Sequence, residues 1–248
     1  MRRICVWAAL SAVAMMAARA ESATGKDDWT GYYAMARGKN LAGFKPINPD
    51  LDKVIIAHLQ PWARAKMEVT DGVADDTGGV CLPDGIFRFI LNGGTFLWLP
   101  GSKQITMVFG QINTAGVQRI HLDRGHPKNL LPTWNGDSVG HWEGDTLVVD
   151  TIGFNSKSWV QSSMEPHTEE AHMIQRIRHI TNENGAFIEI VWTVEDRQAL
   201  TSAYTYSRYY RKVADSLAEN VCADDVQVWK DFRNKALKPQ LDRAREVR

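Results

Sequence analysis

The sequence carries no excess of charge of either sign, with 29 Lys and Arg against 29 Asp and Glu, and it has no run of basic residues. A chain without that electrostatic footprint is excluded from the ordinary nucleic-acid-binding classes. It has no second hydrophobic span after its first twenty residues, so no membrane crossing by a helix is expected beyond them. There is no internal repeat, no low-complexity segment and no composition shift that marks a domain boundary. Cysteine is scarce, with only three in 248 residues.

The first twenty residues read as a cleavable secretory signal. Arg2 and Arg3 precede an apolar run from Ile4 to Ala18, and Ala18-Arg19-Ala20 supplies small residues at the positions a signal peptidase reads. Cleavage before Glu21 leaves 228 residues, with 26 basic side chains against 29 acidic ones. That length buries a substantial core, and a periplasmic or secreted location is expected. Cys81 and Cys222 then remain, and in an oxidising compartment a distant pair is expected to form a disulfide. By loop entropy the bridge is worth about 4 kcal/mol.

Residues 21–80 read as an irregular and helical lead-in. Asn48-Pro49-Asp50 marks a helix start followed by Ile55, Ile56, Leu59 and Trp62 at helical spacing, and Pro61 divides that helix. Residues 81–215 carry strand signals: Ile86 to Leu91, Phe96 to Leu99, Gln104 to Phe109, Val117 to Leu122, Ser138 to Trp142, Thr146 to Thr151, Ile174 to Ile180, Phe187 to Val194 and Tyr204 to Val213. Eight or more antiparallel strands with short turns predict an all-β fold, a closed or nearly closed barrel. Residues 216–248 read as a charged helical tail.

The segment from His121 to Asp150 is the richest in chemistry. With Gly144-Asp145 as a two-residue turn, Glu143 pairs with Thr146, His141 with Val148 and Val139 with Asp150. His141 and Asp150 are then diagonal neighbours on one face, a base and the carboxylate that orients it, while Trp142, Leu147, Val149 and Thr151 share the other. His126 or His167 is the candidate acid, and Arg124 or Tyr206 the candidate stabiliser of negative charge. Trp142, His121, His172, Arg176 and Tyr204 are candidate ligand contacts at a barrel mouth. The spacings of His121 with His126 and of His167 with His172 match no zinc signature, so no metal and no other cofactor is expected. Eight tryptophans, six tyrosines and eight phenylalanines in the mature chain suit either an aromatic core or a cavity for a flat, greasy molecule.

The run Trp142-Glu143-Gly144-Asp145-Thr146-Leu147-Val148-Val149-Asp150-Thr151 resembles the mark of a large group of exported bacterial proteins. The likeness extends to Cys81-Leu82-Pro83, His126-Pro127, Pro166-His167-Thr168-Glu169, His172 and Cys222. It implies a lipocalin-like, calycin-type barrel and no particular activity. Together these features point to an exported, cofactor-independent acid/base enzyme of the isomerase, lyase or hydrolase type, with a hydrophobic or aromatic small molecule as substrate. A carrier that binds without chemistry and a metal-dependent hydrolase are the alternatives.

Overall fold

The computed structural model of the chain describes residues 29–72, 74–78, 82–91, 94–110 and 116–214. The signal over 1–20, the pairing of Cys81 with Cys222 and the tail over 216–248 lie outside the described residues. In chain order the elements are β1 (Gly31–Met35), α1 (Leu51–His58), α2 (Pro61–Val69), α3 (Gly85–Leu91), β2 (Thr95–Leu99) and β3 (Gln104–Gly110). Then come β4 (Gly116–His121), β5 (Asp137–Glu143), β6 (Thr146–Ile152), β7 (His172–Asn182), β8 (Gly185–Glu195) and β9 (Tyr204–Val213).

The nine strands form a closed barrel in sequence order, with β9 returning to β1. Closure removes the unpaired edges that an open sheet would expose. The strand and turn chemistry of the sequence explains most of it. In the β5–β6 turn, Gly144 takes φ +62° at the first central position, which a two-residue turn with glycine there requires. Asp50 caps α1 by accepting from the Lys53 amide at 3.3 Å, and Pro61 opens α2, where its missing N–H costs nothing.

Three elements depart from the sequence expectation. Ile86 to Leu91 is helix α3, not a strand. A short apolar run has the same signature in either form, and here burial against β4 decides. A Cβ on Gly116 would overlap the Phe89 ring, so α3 packs directly on the β4 backbone. The stretch read as irregular lead-in supplies β1, too short at five residues to show a pattern. Not every pair is antiparallel: β4 and β5 run parallel, joined only through Ile120 with Ser138 and His121 with Val139.

Inward faces carry the core, including Phe96, Trp98, Met107, Phe109, Leu147, Val149, Ile177, Ile190, Trp192 and Tyr206. At the end bearing the β5–β6 turn, Trp29 stacks on His179 at 4.0 Å and meets Trp98 and Trp142 at 5.3 and 5.6 Å. Elsewhere α1 packs on β9, and Leu59 bridges to Leu200 in the β8–β9 connection. The lead-in also covers part of the outer wall, where Phe44 stacks on Tyr209 at 4.8 Å. Among the described residues no helix is long and apolar enough to cross a membrane.

Candidate functional site

The β5–β6 register agrees with the sequence reading, with Glu143 opposite Thr146, His141 opposite Val148 and Val139 opposite Asp150. The face carrying Leu147, Val149 and Thr151 looks into the barrel, so His141 and Asp150 point outward. They do not pair. The His141 side chain is 66 % exposed and its Nε2 lies 3.2 Å from Glu143, which also accepts from Arg176 at 2.8 Å. His141 therefore meets the carboxylate two residues along its own strand, on the same face, and not the diagonal one. Arg176, expected to touch a ligand, is committed to Glu143 on the outer wall.

Asp150 belongs to a different group, in which basic and acidic side chains alternate. Arg124 grips Asp137 with both guanidinium nitrogens, at 2.5 and 3.1 Å, a bidentate arrangement. Asp137 also lies 2.7 Å from His126 Nδ1. His126 Nε2 stands 3.4 Å from Asp150 Oδ1, which receives His172 Nε2 at 2.9 Å. Beyond it, His172 Nδ1 is 3.9 Å from Glu195. Burial alone would raise the Asp137 carboxyl, but hydrogen bonds from Arg124 and His126 outweigh it and hold the group below the usual carboxylate range. The contact with Asp137 fixes the orientation of the His126 ring and turns Nε2 toward Asp150. His126 Nε2 is buried and makes no hydrogen bond among the described residues. The structure thus brings His126, Arg124, His172 and Asp150 together, adds Asp137 and Glu195, and leaves His141 apart. Strand period marks Asp137, which shares its face with Val139 and His141. Glu195, a strand-end acid, carries no such signal.

Beside this group the barrel wall opens. Because β4 and β5 join through two residue pairs only, a cavity of about 390 Å³ lies at their seam, lined by Phe89, Val117, Trp134, His121, Asp137 and Ser138 among others. His121 is one of the residues that line it. Ser138 leads inward to a buried polar belt. Gln118 Nε2 donates to Gln175 Oε1 at 2.6 Å and to Ser138 Oγ at 3.1 Å, and Ser138 lies 2.8 Å from Thr151 Oγ1. The belt continues across β7, β8 and β9 through Gln175, Trp192 and Tyr206, which stand opposite one another in register. Trp192 and Tyr206 are stacked at 4.9 Å.

Gln118 Oε1, Gln175 Nε2, Trp192 Nε1 and the hydroxyls of Tyr204 and Tyr206 are buried without a hydrogen-bond partner among the described residues, as is Asn135 Oδ1 at the seam. Such groups are rare in folded proteins, since each forfeits its hydration. Burial pushes the Tyr204 and Tyr206 phenols well up, so both stay protonated and each holds a donor in reserve. Tyr206 and Arg124 lie on opposite sides of the wall and cannot serve one anion together. Trp142 faces inward at the Trp29 end, away from the seam.

His167 sits in a third place. It is buried, with Nε2 2.9 Å from Ser158 Oγ and Nδ1 3.2 Å from the Thr168 carbonyl. Asp196 anchors Thr168 through its amide at 2.6 Å and its hydroxyl at 2.8 Å. Burial holds His167 below the usual imidazole range, so it is neutral near pH 7 and accepts from Ser158. Neighbouring Glu165 is fully buried, and burial raises its carboxyl. Neither Ser158 nor Asp196 lies in any recognisable motif. Among the described residues no cluster of His, Cys, Asp or Glu has the arrangement to hold a metal ion.

No protein-family model matches the chain, and no curated protein does. Among solved structures, the REP1-NXSQ fatty acid transporter is similar at a TM-score of 0.38 and 8% identity, covering 77% of this chain and 99% of its own. A point mutant of that transporter is similar at 0.37 and 8%, covering 75% and 99%. Likeness at this level carries no argument about activity.

Proposed function

We propose that this protein binds a partly apolar small molecule at the β4–β5 seam of its barrel. The observation that carries the reading is the seam itself: a cavity of about 390 Å³ whose inner wall, at Ser138, joins a buried belt with unpaired donors and acceptors. Ligand sites combine an apolar lining with a few convergent polar groups in this way, at comparable volume. Phe89, Val117 and Trp134 offer the apolar walls, while Asn135, Ser138 and His121 offer polar contacts. A calycin-type barrel, export to the periplasm or medium and the Cys81–Cys222 bridge complete the proposal. The intact mass of the exported protein checks the last two, with loss of residues 1–20 and two hydrogens expected.

The test is titration with phenylnaphthylamine, a neutral fluorescent probe. Saturable binding is expected, with Val117→Trp weakening it at least about tenfold by filling the cavity and Val117→Ala changing it less than about threefold. Absence of saturable binding, or equal affinity in Val117→Trp, would overturn the reading.

Acid/base chemistry on the bound molecule is the second reading, favoured by one observation. Asp137 lines the cavity and also orients the His126 ring, so a carboxylate and an imidazole in contact stand beside the bound molecule. Asp137→Asn is then expected to lower turnover of a converted ligand by about a hundredfold while binding persists. Unchanged turnover would leave a pure binder.

A further inference from the structure

A second opening in the barrel wall lies where β1 leaves β9. The two strands pair as far as Met35 with Tyr210, and the last bond runs from the Ala36 amide to the Tyr209 carbonyl at 2.7 Å. The chain then swings away and rejoins β9 further along. Ile47 donates to Ser207 Oγ at 2.8 Å and accepts from the Ser207 amide at 3.0 Å, and Asn48 Nδ2 donates to the Thr205 carbonyl at 2.6 Å. Between departure and return the wall has a window at the level of Arg208, and a cavity of about 420 Å³ occupies it.

The lining has an unusual balance of charge. Met35, Ala36, Leu41, Pro46 and Pro49 make much of it apolar, and among the described residues Arg37 and Arg208 are its only ionic side chains. Arg208 lies on the inward face of β9, opposite Ile190, with Tyr206 and Tyr210 two residues to either side. Its guanidinium carbon is 5.5 Å from the centre of the Tyr206 ring, and Nη1 donates to the adjacent Ser207 carbonyl at 3.0 Å. Arg88, Arg124, Arg176 and Arg178 are each paired with a carboxylate. Among the described residues Arg37 and Arg208 form no ion pair. Gln161, also in the lining, donates its side-chain amide to Asp52. A half-buried guanidinium usually has an anion beside it, because its donors are costly to leave unmatched.

We infer that the window is a binding site for an amphiphilic anion, with a carboxylate or sulfate head between Arg208 and Arg37 and a short apolar tail along Met35, Leu41 and Pro46. The site is separate from the β4–β5 seam. Its planar, forked donors suit a carboxylate better than a point cation would. The phenols of Tyr206 and Tyr210 remain protonated, since burial pushes both up, so neither opposes an anion at this place.

Calorimetric titration with sodium octanoate and with octanol tests it, since the two differ in the head group alone. Octanoate is expected to bind at least about tenfold more tightly than octanol. Arg208→Met is expected to abolish that preference and Arg37→Met to cut it at least about threefold, both leaving phenylnaphthylamine affinity unchanged. Arg37 is exposed, so its variant reads the site even where Arg208→Met fails to fold. Equal affinity for the two probes, no octanoate binding, or a preference that survives Arg37→Met overturns the inference. Loss of phenylnaphthylamine binding in unsubstituted protein instead strikes the seam, so the two outcomes are distinguishable.

Discussion

Asp137 shows how one side chain can tie several charges together. It accepts from Arg124 and from His126, and both contacts favour its ionised form. Its folded pKa lies below the unfolded one, so its contribution is present above the ordinary carboxylate range and fades as pH falls through the folded value. Asp137→Asn is expected to cost about 1 kcal/mol at pH 7, with the difference from the parent closing in strong acid. Urea unfolding at a series of pH values measures this, and a constant gap down to pH 2 would contradict it. Sequence reading reached His126, Arg124, Asp150 and His172 because each is a reactive type near a turn. It paired Asp150 with the wrong histidine. A strand period fixes which side chains share a face, but the choice among neighbours on that face depends on rotamer and on the third strand, here β7. Ser158 and Asp196 were not legible at all, since they meet their partners through an irregular loop.

At the scale of elements, the strands were legible where apolar and polar residues alternate and a turn residue follows. The β5–β6 hairpin is the clearest case, correct to the residue pair. The orientation of that hairpin follows the ordinary rule that the apolar face is buried, which places its polar pair outside. Helix α3 was illegible, because its identity comes from contact with the β4 backbone. The parallel β4–β5 junction was hidden too, for nothing in residues 122–136 announces a chain that runs back along the barrel. Gly116 makes the dependence of α3 on β4 testable. Gly116→Ala sets a methyl group into the Phe89 ring, and a loss of about 1–3 kcal/mol in urea unfolding is expected. Unchanged stability would show that α3 moves aside without cost.

Across the whole molecule, closure and opening are linked. The barrel closes through β1 and β9, yet two of its junctions are incomplete, the parallel seam of β4 with β5 and the window where β1 departs. Both have cavities, the first beside polar groups that lack hydrogen-bond partners among the described residues and the second beside two arginines that form no ion pair among them. Aromatic residues fill much of the rest, stacked as Tyr33 on Phe96 and Trp192 on Tyr206, so binding is expected at the wall and not in an open lumen. Composition alone allowed either an aromatic core or a greasy cavity, and ring contacts inside the barrel account for Trp29, Tyr33, Phe96, Trp98, Trp192, Tyr206 and Tyr210 among the aromatic side chains. Hydrogen–deuterium exchange with and without saturating phenylnaphthylamine tests this placement most directly. Slower exchange is expected in residues 116–121 and 133–143, on the two sides of the seam, with β8 unchanged. Protection confined to other strands, or none at a concentration where fluorescence shows saturation, would contradict it.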